Sequence, residues 1–454
     1  MTGNTHIVHF GLQYVIKNFL IEQFNENFFN LPHDIIVKQY QRRMDYYLGA
    51  GLIKINHISA LHKLGYLPIR IKALPEGSLV PLKVPMWTIV NTKPEFYWIT
   101  NYLETALSNL TWEANTSATT AYDFKKTFDK YADETVGNRN FVPYQGHDFS
   151  FRGMSGIFSA SLSGAAHLVS GFVGTDTIPA IDLIEQYYNS NVENELIGCS
   201  VAATEHATMS AGTKEEELNT YKRLLTEIYP NGILSIVSDT WSFWDVITKF
   251  TIQLKHDIMN RDGKCVFRPD TGDPVKIVCG DLEAQTEEEI KGAVECLWDI
   301  FGGTINEKGY KELDSHVGII YGDSITLDRQ KRILEGLKQK GFASNNIVLG
   351  IGSYTYRYTT RDSVGGFAVK ATYCEVDGAG REIFKNPATD KDNMKKSAKG
   401  LLYVGRDSIT NEYYLEDQVS WEKESQGELR TIFEDGKLLI DENFSTIRER
   451  LNSV

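Results

Sequence analysis

The sequence predicts an α/β protein: a parallel sheet with its helices, joined to a second region that is rich in helix. Three observations predict it. From about residue 145, short apolar strands that end in polar or glycine residues alternate with helical stretches, the pattern of parallel strands connected through helices. The first 130 or so residues carry apolar side chains at helical spacing instead. At 454 residues, with 42% apolar and 24% charged side chains, the chain is long and apolar enough to bury a sizeable core.

In chain order, residues 10–29 (FGLQYVIKNFLIEQFNENFF), 34–48 and 115–131 read as helices. Residues 67–84 combine β-branched residues, prolines and the turn Pro75-Glu76-Gly77, and predict a small sheet between these helices. Four strand units then follow. Residues 233–237 lead into Ser238-Asp239, 265–267 into Arg268-Pro269-Asp270, 317–321 into Gly322-Asp323, and 347–349 into Gly350-Ile351-Gly352. In a parallel sheet the carboxyl ends of the strands gather functional groups, so these four endings are candidates for one pocket. Asp and Gly after a strand also serve as ordinary turn and N-cap residues, and each unit alone admits that reading. After Val369 the chain returns to strand and loop, with a basic stretch at Lys395-Lys396-Ser397-Ala398-Lys399-Gly400 that also fits a solvated loop. The tail from Leu429 reads as a strand pair around Asp435-Gly436 and a final helix.

Composition excludes several classes. No apolar run approaches the ~20 residues that span a bilayer, and the start MTGNTHIVHFGLQY lacks a signal-peptide layout, so no membrane partner and a cytoplasmic chain are expected. The net charge of −13 argues against a broad nucleic-acid surface, while a few gathered arginines and lysines still suit a small anion. Cys199, Cys265, Cys279, Cys296 and Cys374 form no metal-type spacing and read as reduced core residues.

Three stretches carry chemistry. Gly146-His147-Asp148-Phe149-Ser150-Phe151-Arg152-Gly153 sets an arginine beside aromatic rings just before a helix of small residues, which suits an anion and a flat ligand together. A structural aromatic cluster with a surface arginine is the alternative. In Gly174-Thr175-Asp176-Thr177, Thr175 or Asp176 could equally cap the helix that follows. Cys199 to His206 (CSVAATEH) puts a histidine next to a glutamate, a pair in which the carboxylate tunes the imidazole near neutrality.

Taken in order, these stretches resemble the nicotinamide phosphoribosyltransferase family. The matching signatures are FGLQY (Phe10 to Tyr14), PEG (Pro75 to Gly77), YW-TN--ET (Tyr97 to Thr105), HDF--RG (His147 to Gly153), AHLV (Ala166 to Val169), GTDT (Gly174 to Thr177), EH (Glu205, His206), VSD (Val237 to Asp239), RPD-G-P (Arg268 to Pro274), GD (Gly322, Asp323), TRD (Thr360 to Asp362) and FK-P (Phe384 to Pro387). The resemblance implies an irregular parallel α/β barrel-like domain with a second, helix-rich α+β domain built from the N-terminal part and C-terminal segments. It divides the chain at 1–145, 146–375 and 376–454.

The resemblance also implies roles. Phe149 would stack on the nicotinamide ring, Arg152 would meet its amide oxygen or a phosphate, and Asp176 would accept from the amide NH₂ while repelling the carboxylate of nicotinate. Arg268 would meet phosphate or the ring amide, Asp270 a ribose hydroxyl, and Asp239 lies at the same site. Gly322, Asp323, Gly350, Gly352 and Ser353 would cradle the 5′-phosphate, and Arg361, Lys370, Lys385 and the lysines near Ser397 would gather phosphate, partly across the interface of a homodimer with shared active sites. His206 matches a histidine phosphorylated by ATP, which couples hydrolysis to product formation, and Mg²⁺ would assist the leaving pyrophosphate.

Two features depart from the pattern. Family members carry a longer segment before FGLQY, with a D-YK--H signature whose tyrosine stacks on the base from the partner subunit and an arginine that contacts phosphate; this chain starts only nine residues before Phe10, so either its start is truncated or one face of the base sandwich is lost, the latter at a cost on the order of 1 kcal/mol. The run Gly350-Ile351-Gly352-Ser353-Tyr354 is poorer in glycine than the family's, and Tyr354 narrows that loop. The alternatives are a nicotinate phosphoribosyltransferase, a truncated nucleotide-binding relative without activity, and an unrelated phosphate-binding barrel, which fits the strand ends but not the motif order.

Overall fold

The computed structural model describes residues 4–385 and 397–453. It divides into two compact units: residues 1–119, 183–190 and 360–454 make the first, and residues 120–182 and 191–359 the second. The divisions read from sequence lay at 145 and 375. The two partitions differ most at 120–145, which the structure gives to the second unit, and also at 183–190 and 360–375, which it gives to the first.

The second unit is built on a parallel sheet of seven strands. In chain order they are β1 (Gly146–Phe149), β2 (Gly174–Thr175), β3 (Ala202–Ala203), β4 (Leu234–Val237), β5 (Cys265–Arg268), β6 (Val317–Tyr321) and β7 (Ile347–Gly352), and their spatial order is β2-β1-β7-β6-β5-β4-β3. All four residues of β4 are buried, as expected of a parallel strand covered on both faces. The sheet curls. Gly174 on one edge strand bridges in parallel to Cys199, just before the opposite edge strand β3, and Thr175 N donates to Cys199 O at 3.0 Å. The segment 199–203 thus brings the two edges together, which is the irregular barrel-like α/β form the motifs implied. One apolar core fills it, with Phe128, Phe172, Tyr221, Phe267 and Phe342 among its largest side chains.

Register positions the site. Val237 pairs with Arg268 and Phe149 with Gly352, so neighbouring strands end at the same level. One sequence expectation changes here. The strand expected to stop at Leu349 runs on to Gly352, because Gly350, Ile351 and Gly352 pair with His147, Asp148 and Phe149. The two glycines are strand residues, and the bare backbone of Gly350 is what lets a ring lie against it.

The first unit holds a four-stranded antiparallel sheet in the order Lys437–Leu438, Arg430–Glu434, Ile69–Ala73, Trp87–Asn91. N-terminal and C-terminal segments therefore share one sheet. Asp435 and Gly436 both have positive φ (47° and 80°), the turn that joins two strands across two residues. Residues 67–84 form strands of two different sheets, since Leu79–Pro81 pairs with His6–Val8 instead. The expected helix 115–131 is part of Ile99–Thr135, a stretch without glycine or proline to stop it. Ile7, Leu74, Val80, Phe367, Val404 and Leu429 cluster as a separate core. All five cysteines are unpaired, and among the described residues no helix is long and apolar enough to cross a membrane.

Candidate active site

The carboxyl end of β1 turns sharply into a short helical turn, Phe151–Gly153, and then into α1 (Ile157–Val169). The buried Asp148 shapes this turn: its Oδ1 accepts from Ser150 N at 2.9 Å, and its Oδ2 accepts from Thr175 Oγ1 at 3.3 Å. Phe149 is left at the strand mouth. Its ring lies on the backbone of Gly350, where an added Cβ would stand 2.7 Å from Phe149 Cε2. The His147 ring sits 4.8 Å from it, centroid to centroid, and the Arg268 guanidinium 5.9 Å. Arg152 is exposed on the turn, and its charge reaches Asp270.

Asp176 follows β2, where its N–H donates to Asp148 O at 3.0 Å. Its carboxylate takes two hydrogen bonds on one oxygen: Oδ1 is 2.8 Å from His147 Nε2 and 2.7 Å from Ser200 Oγ. Burial pushes this carboxyl up, but the bonds from His147 and Ser200, with the charge of Arg268, outweigh it and hold it below the usual carboxylate range. Asp176 is therefore ionised at neutral pH. Oδ2 takes no hydrogen bond among the described residues.

A second cluster forms where β4 and β5 end. His206, the first residue of α2 (His206–Ala211), has Nε2 3.1 Å from Asp239 Oδ1, and Asp239 Oδ2 accepts from Asp270 N at 2.9 Å. Arg268 is buried. Its Nη2 donates to Thr204 O at 3.0 Å and stands 3.7 Å from Glu205, and its Nε is 3.8 Å from Asp270. Asp270 Oδ1 is buried without a hydrogen-bond partner. Burial raises the Asp270 carboxyl, with Asp239 adding to the rise and Arg268 opposing it. Gly322 underlies this group, because a Cβ there would overlap Asp270 Oδ1. Asp323 is exposed beyond it, and Ser353 packs on Gly153, which has no room for a Cβ.

Comparison with known proteins gives this geometry a family. The model of the nicotinate phosphoribosyltransferase family matches residues 144–437, from just before β1 to the C-terminal strand pair. The chain belongs to that family. A relative from Acinetobacter baylyi named nicotinamide phosphoribosyltransferase is 53% identical over 452 residues, 98% of this chain and 88% of that protein. One of the same name from Xanthomonas campestris is 34% identical over 390 residues, 85% of this chain and 79% of the other. Among solved structures, human nicotinic acid phosphoribosyltransferase matches with a TM-score of 0.51 at 13% identity, covering 100% of this chain and 86% of that one, and supports the fold alone.

For this member of the nicotinate phosphoribosyltransferase family, the second unit brings together Phe149, Asp176, Arg268, Asp270, Asp239 and His206 through direct contacts or neighbouring charges. Arg361, Lys370 and Lys385 belong to the first unit, each exposed. Lys385 N donates to Ser397 Oγ at 2.9 Å, whereas Lys395, Lys396 and Pro387 lie outside the described residues. Two residues of the site were not singled out from sequence: His147 and Ser200, which orient Asp176. Both sit inside quoted motif stretches, but only the approach of β2 to residues 199–200 reveals what they hold. Chemically, the arrangement offers a ring face, an ionised carboxylate with an open oxygen, a buried guanidinium and two adjacent carboxylates. Such a set suits a flat amide, a phosphorylated sugar and developing positive charge.

Proposed function

We propose that the chain transfers the phosphoribosyl group of phosphoribosyl pyrophosphate to nicotinamide, giving nicotinamide mononucleotide and diphosphate in NAD salvage. The bond from the anomeric carbon to pyrophosphate oxygen breaks and one to the pyridine nitrogen forms. That nitrogen carries no proton to lose, so the site needs charge stabilisation more than a base. Asp270 and Asp239 face the cation-like sugar; Arg268 and Arg152 take phosphate or amide oxygen. Gly322, Asp323, Gly350, Gly352 and Ser353 surround the 5′-phosphate, while Arg361, Lys370 and Lys385 serve phosphate in a homodimer with shared active sites.

The observation that carries the choice of base is Asp176. His147 and Ser200 occupy Oδ1 and the carboxyl stays ionised, so Oδ2 is an acceptor for an amide NH₂ and a repulsive neighbour for the carboxylate of nicotinate.

Magnesium fits the donors present. Among the described residues no three His, Cys, Asp or Glu side chains make a metal cage, but Asp270 Oδ1 is buried without a partner beside Asp239. One or two carboxylates plus substrate phosphates is the usual magnesium arrangement. Bound there, the ion would supply charge neutralisation for the departing pyrophosphate. With Asp239 accepting from Nε2–H, His206 keeps its lone pair on Nδ1, to which the γ-phosphoryl of ATP passes as the bond to ADP breaks. A cytoplasmic setting belongs to the same reading, supported by the five unpaired cysteines.

The test is to incubate purified protein with phosphoribosyl pyrophosphate, magnesium and each base in turn, with and without ATP, and to identify products by mass. Nicotinamide mononucleotide is the expected product. No mononucleotide from either base refutes the reading.

A further inference from the structure

We infer that Tyr356 and His167 are positioning residues that seat the phosphoribosyl-facing segment 350–353, the end of β7 and the first residue of the helical turn after it, through a buried phenol–imidazole hydrogen bond. The inference rests on the phosphate role proposed for that segment.

After β7 the chain makes only one helical turn, α3 (Ser353–Tyr356). So short a helix cannot hold itself, since nucleating a turn fixes several residues for one hydrogen bond. Here three ties hold it. Thr355 Oγ1 donates to Ile325 O, in the loop that carries Gly322 and Asp323. Ser353 packs on Gly153, in the turn that carries Arg152. Tyr356 Oη lies 2.8 Å from His167 Nδ1 on α1, with both side chains buried. The one-turn helix is thus the point where the base-facing turn, the Gly322-Asp323 loop and the end of β7 meet.

The direction of the Tyr356 bond follows from its surroundings. His167 Nε2 lies 3.2 Å from Gly146 O, a carbonyl that can only accept, so Nε2 bears the proton and Nδ1 the lone pair. Tyr356 therefore donates. Burial keeps the imidazole neutral, lowering its pKa to about 4 against the pull of Asp148, so the pair holds through the physiological range. The Phe172 ring stacks on the imidazole at 4.9 Å and fixes its plane. One histidine thereby ties β1, through Gly146, to the turn after β7, through Tyr356. Both residues are buried and act through the segments they hold rather than through an exposed face.

The roles of the two partners separate experimentally. Tyr356→Phe removes one hydroxyl, leaves the His167–Gly146 bond and the base-facing strand in place, and frees only the phosphate-facing segment. The expected result is a rise of about fivefold to tenfold in KM for phosphoribosyl pyrophosphate and in its Kd by calorimetry, from the loss of one buried hydrogen bond. KM for nicotinamide and kcat should stay unchanged within error. His167→Gln loosens both ends and should raise both KM values. In the double variant the phosphoribosyl pyrophosphate effect should not exceed that of His167→Gln alone, because the two act as one unit.

Unchanged phosphoribosyl pyrophosphate constants in Tyr356→Phe overturn the inference. So does an equal loss on both substrates together with lower thermal stability, the mark of a merely structural role. If the unaltered protein forms no mononucleotide, the proposed transfer fails instead, and the calorimetric comparison still decides the positioning role.

Discussion

Replacing Asp176 with asparagine tests how the site tells an amide from an acid. Both intramolecular bonds of Asp176 fall on Oδ1, so an asparagine can keep its own Oδ1 against His147 and Ser200 and turn its NH₂ to where Oδ2 stood. The fold around β2 should therefore survive. Toward nicotinamide, a charged acceptor becomes a donor facing a donor; a hydrogen bond to a charged group exceeds a neutral one by about 1 kcal/mol, and that is the least that is lost. Toward nicotinate, repulsion between two carboxylates ~5 Å apart disappears. That repulsion is worth about 1 kcal/mol in a water-like setting and more in a dry one. With the Asp176 side chain 45% exposed, the lower figure applies. Together, roughly 2 kcal/mol moves the ratio of kcat/KM for the two bases by about thirtyfold toward nicotinate. The assay is initial rates with each base at saturating phosphoribosyl pyrophosphate. A ratio that does not move, in a variant with unchanged circular dichroism, refutes the assignment of Asp176 to the amide.

Three further perturbations follow from other parts of the structure. Gly322→Ala places a methyl group on Asp270 Oδ1; the carboxylate must move, and turnover should fall on the order of a hundredfold with thermal stability nearly kept, whereas full activity would show that Asp270 is not held from below. His206→Asn should abolish any acceleration by ATP while leaving ATP-free turnover nearly intact; retained ATP stimulation excludes His206 as the phosphoryl acceptor. His9 is buried with its pKa lowered to about 4, chiefly by that burial, so between about 4 and 6.5 the unfolded chain binds more protons than the folded one. Its stabilisation is complete above 6.5 and declines as pH falls toward 4, by roughly 3 kcal/mol over the window. Glu76, raised by burial to about 7, opposes this in part, so the measurement is the difference in urea midpoints between the parent and His9→Asn at pH 7.5 and pH 5, and a gap that does not narrow at the lower pH contradicts it.

Much of this site was readable along the chain, for a definite reason. A parallel sheet puts every strand's carboxyl end on one side, so a strand followed by Arg268-Pro269-Asp270 or Gly322-Asp323 announces its direction without tertiary information. The turn at Asp435-Gly436 was equally legible, because two successive positive φ angles restrict residue choice. What stayed hidden depends on contacts between distant segments. Ser200 orients Asp176 across 24 positions, and Tyr356 meets His167 across 189. The glycines of 350–352 were legible as special but misassigned to a loop; they pair with residues 147–149 in the sheet, and Gly350 is a bare strand surface under Phe149. The partner of Leu79–Pro81 could not be read either, since a three-residue strand carries too little pattern to choose between sheets.

The most direct measurement is a competition. Purified protein with magnesium, limiting phosphoribosyl pyrophosphate and equal concentrations of nicotinamide and nicotinate yields two products of distinct mass, and their ratio compares the two transition states in one vessel. An ionised Asp176 with an open oxygen requires nicotinamide mononucleotide in excess, by about tenfold or more. Nicotinate mononucleotide as the major product would contradict the account at its centre.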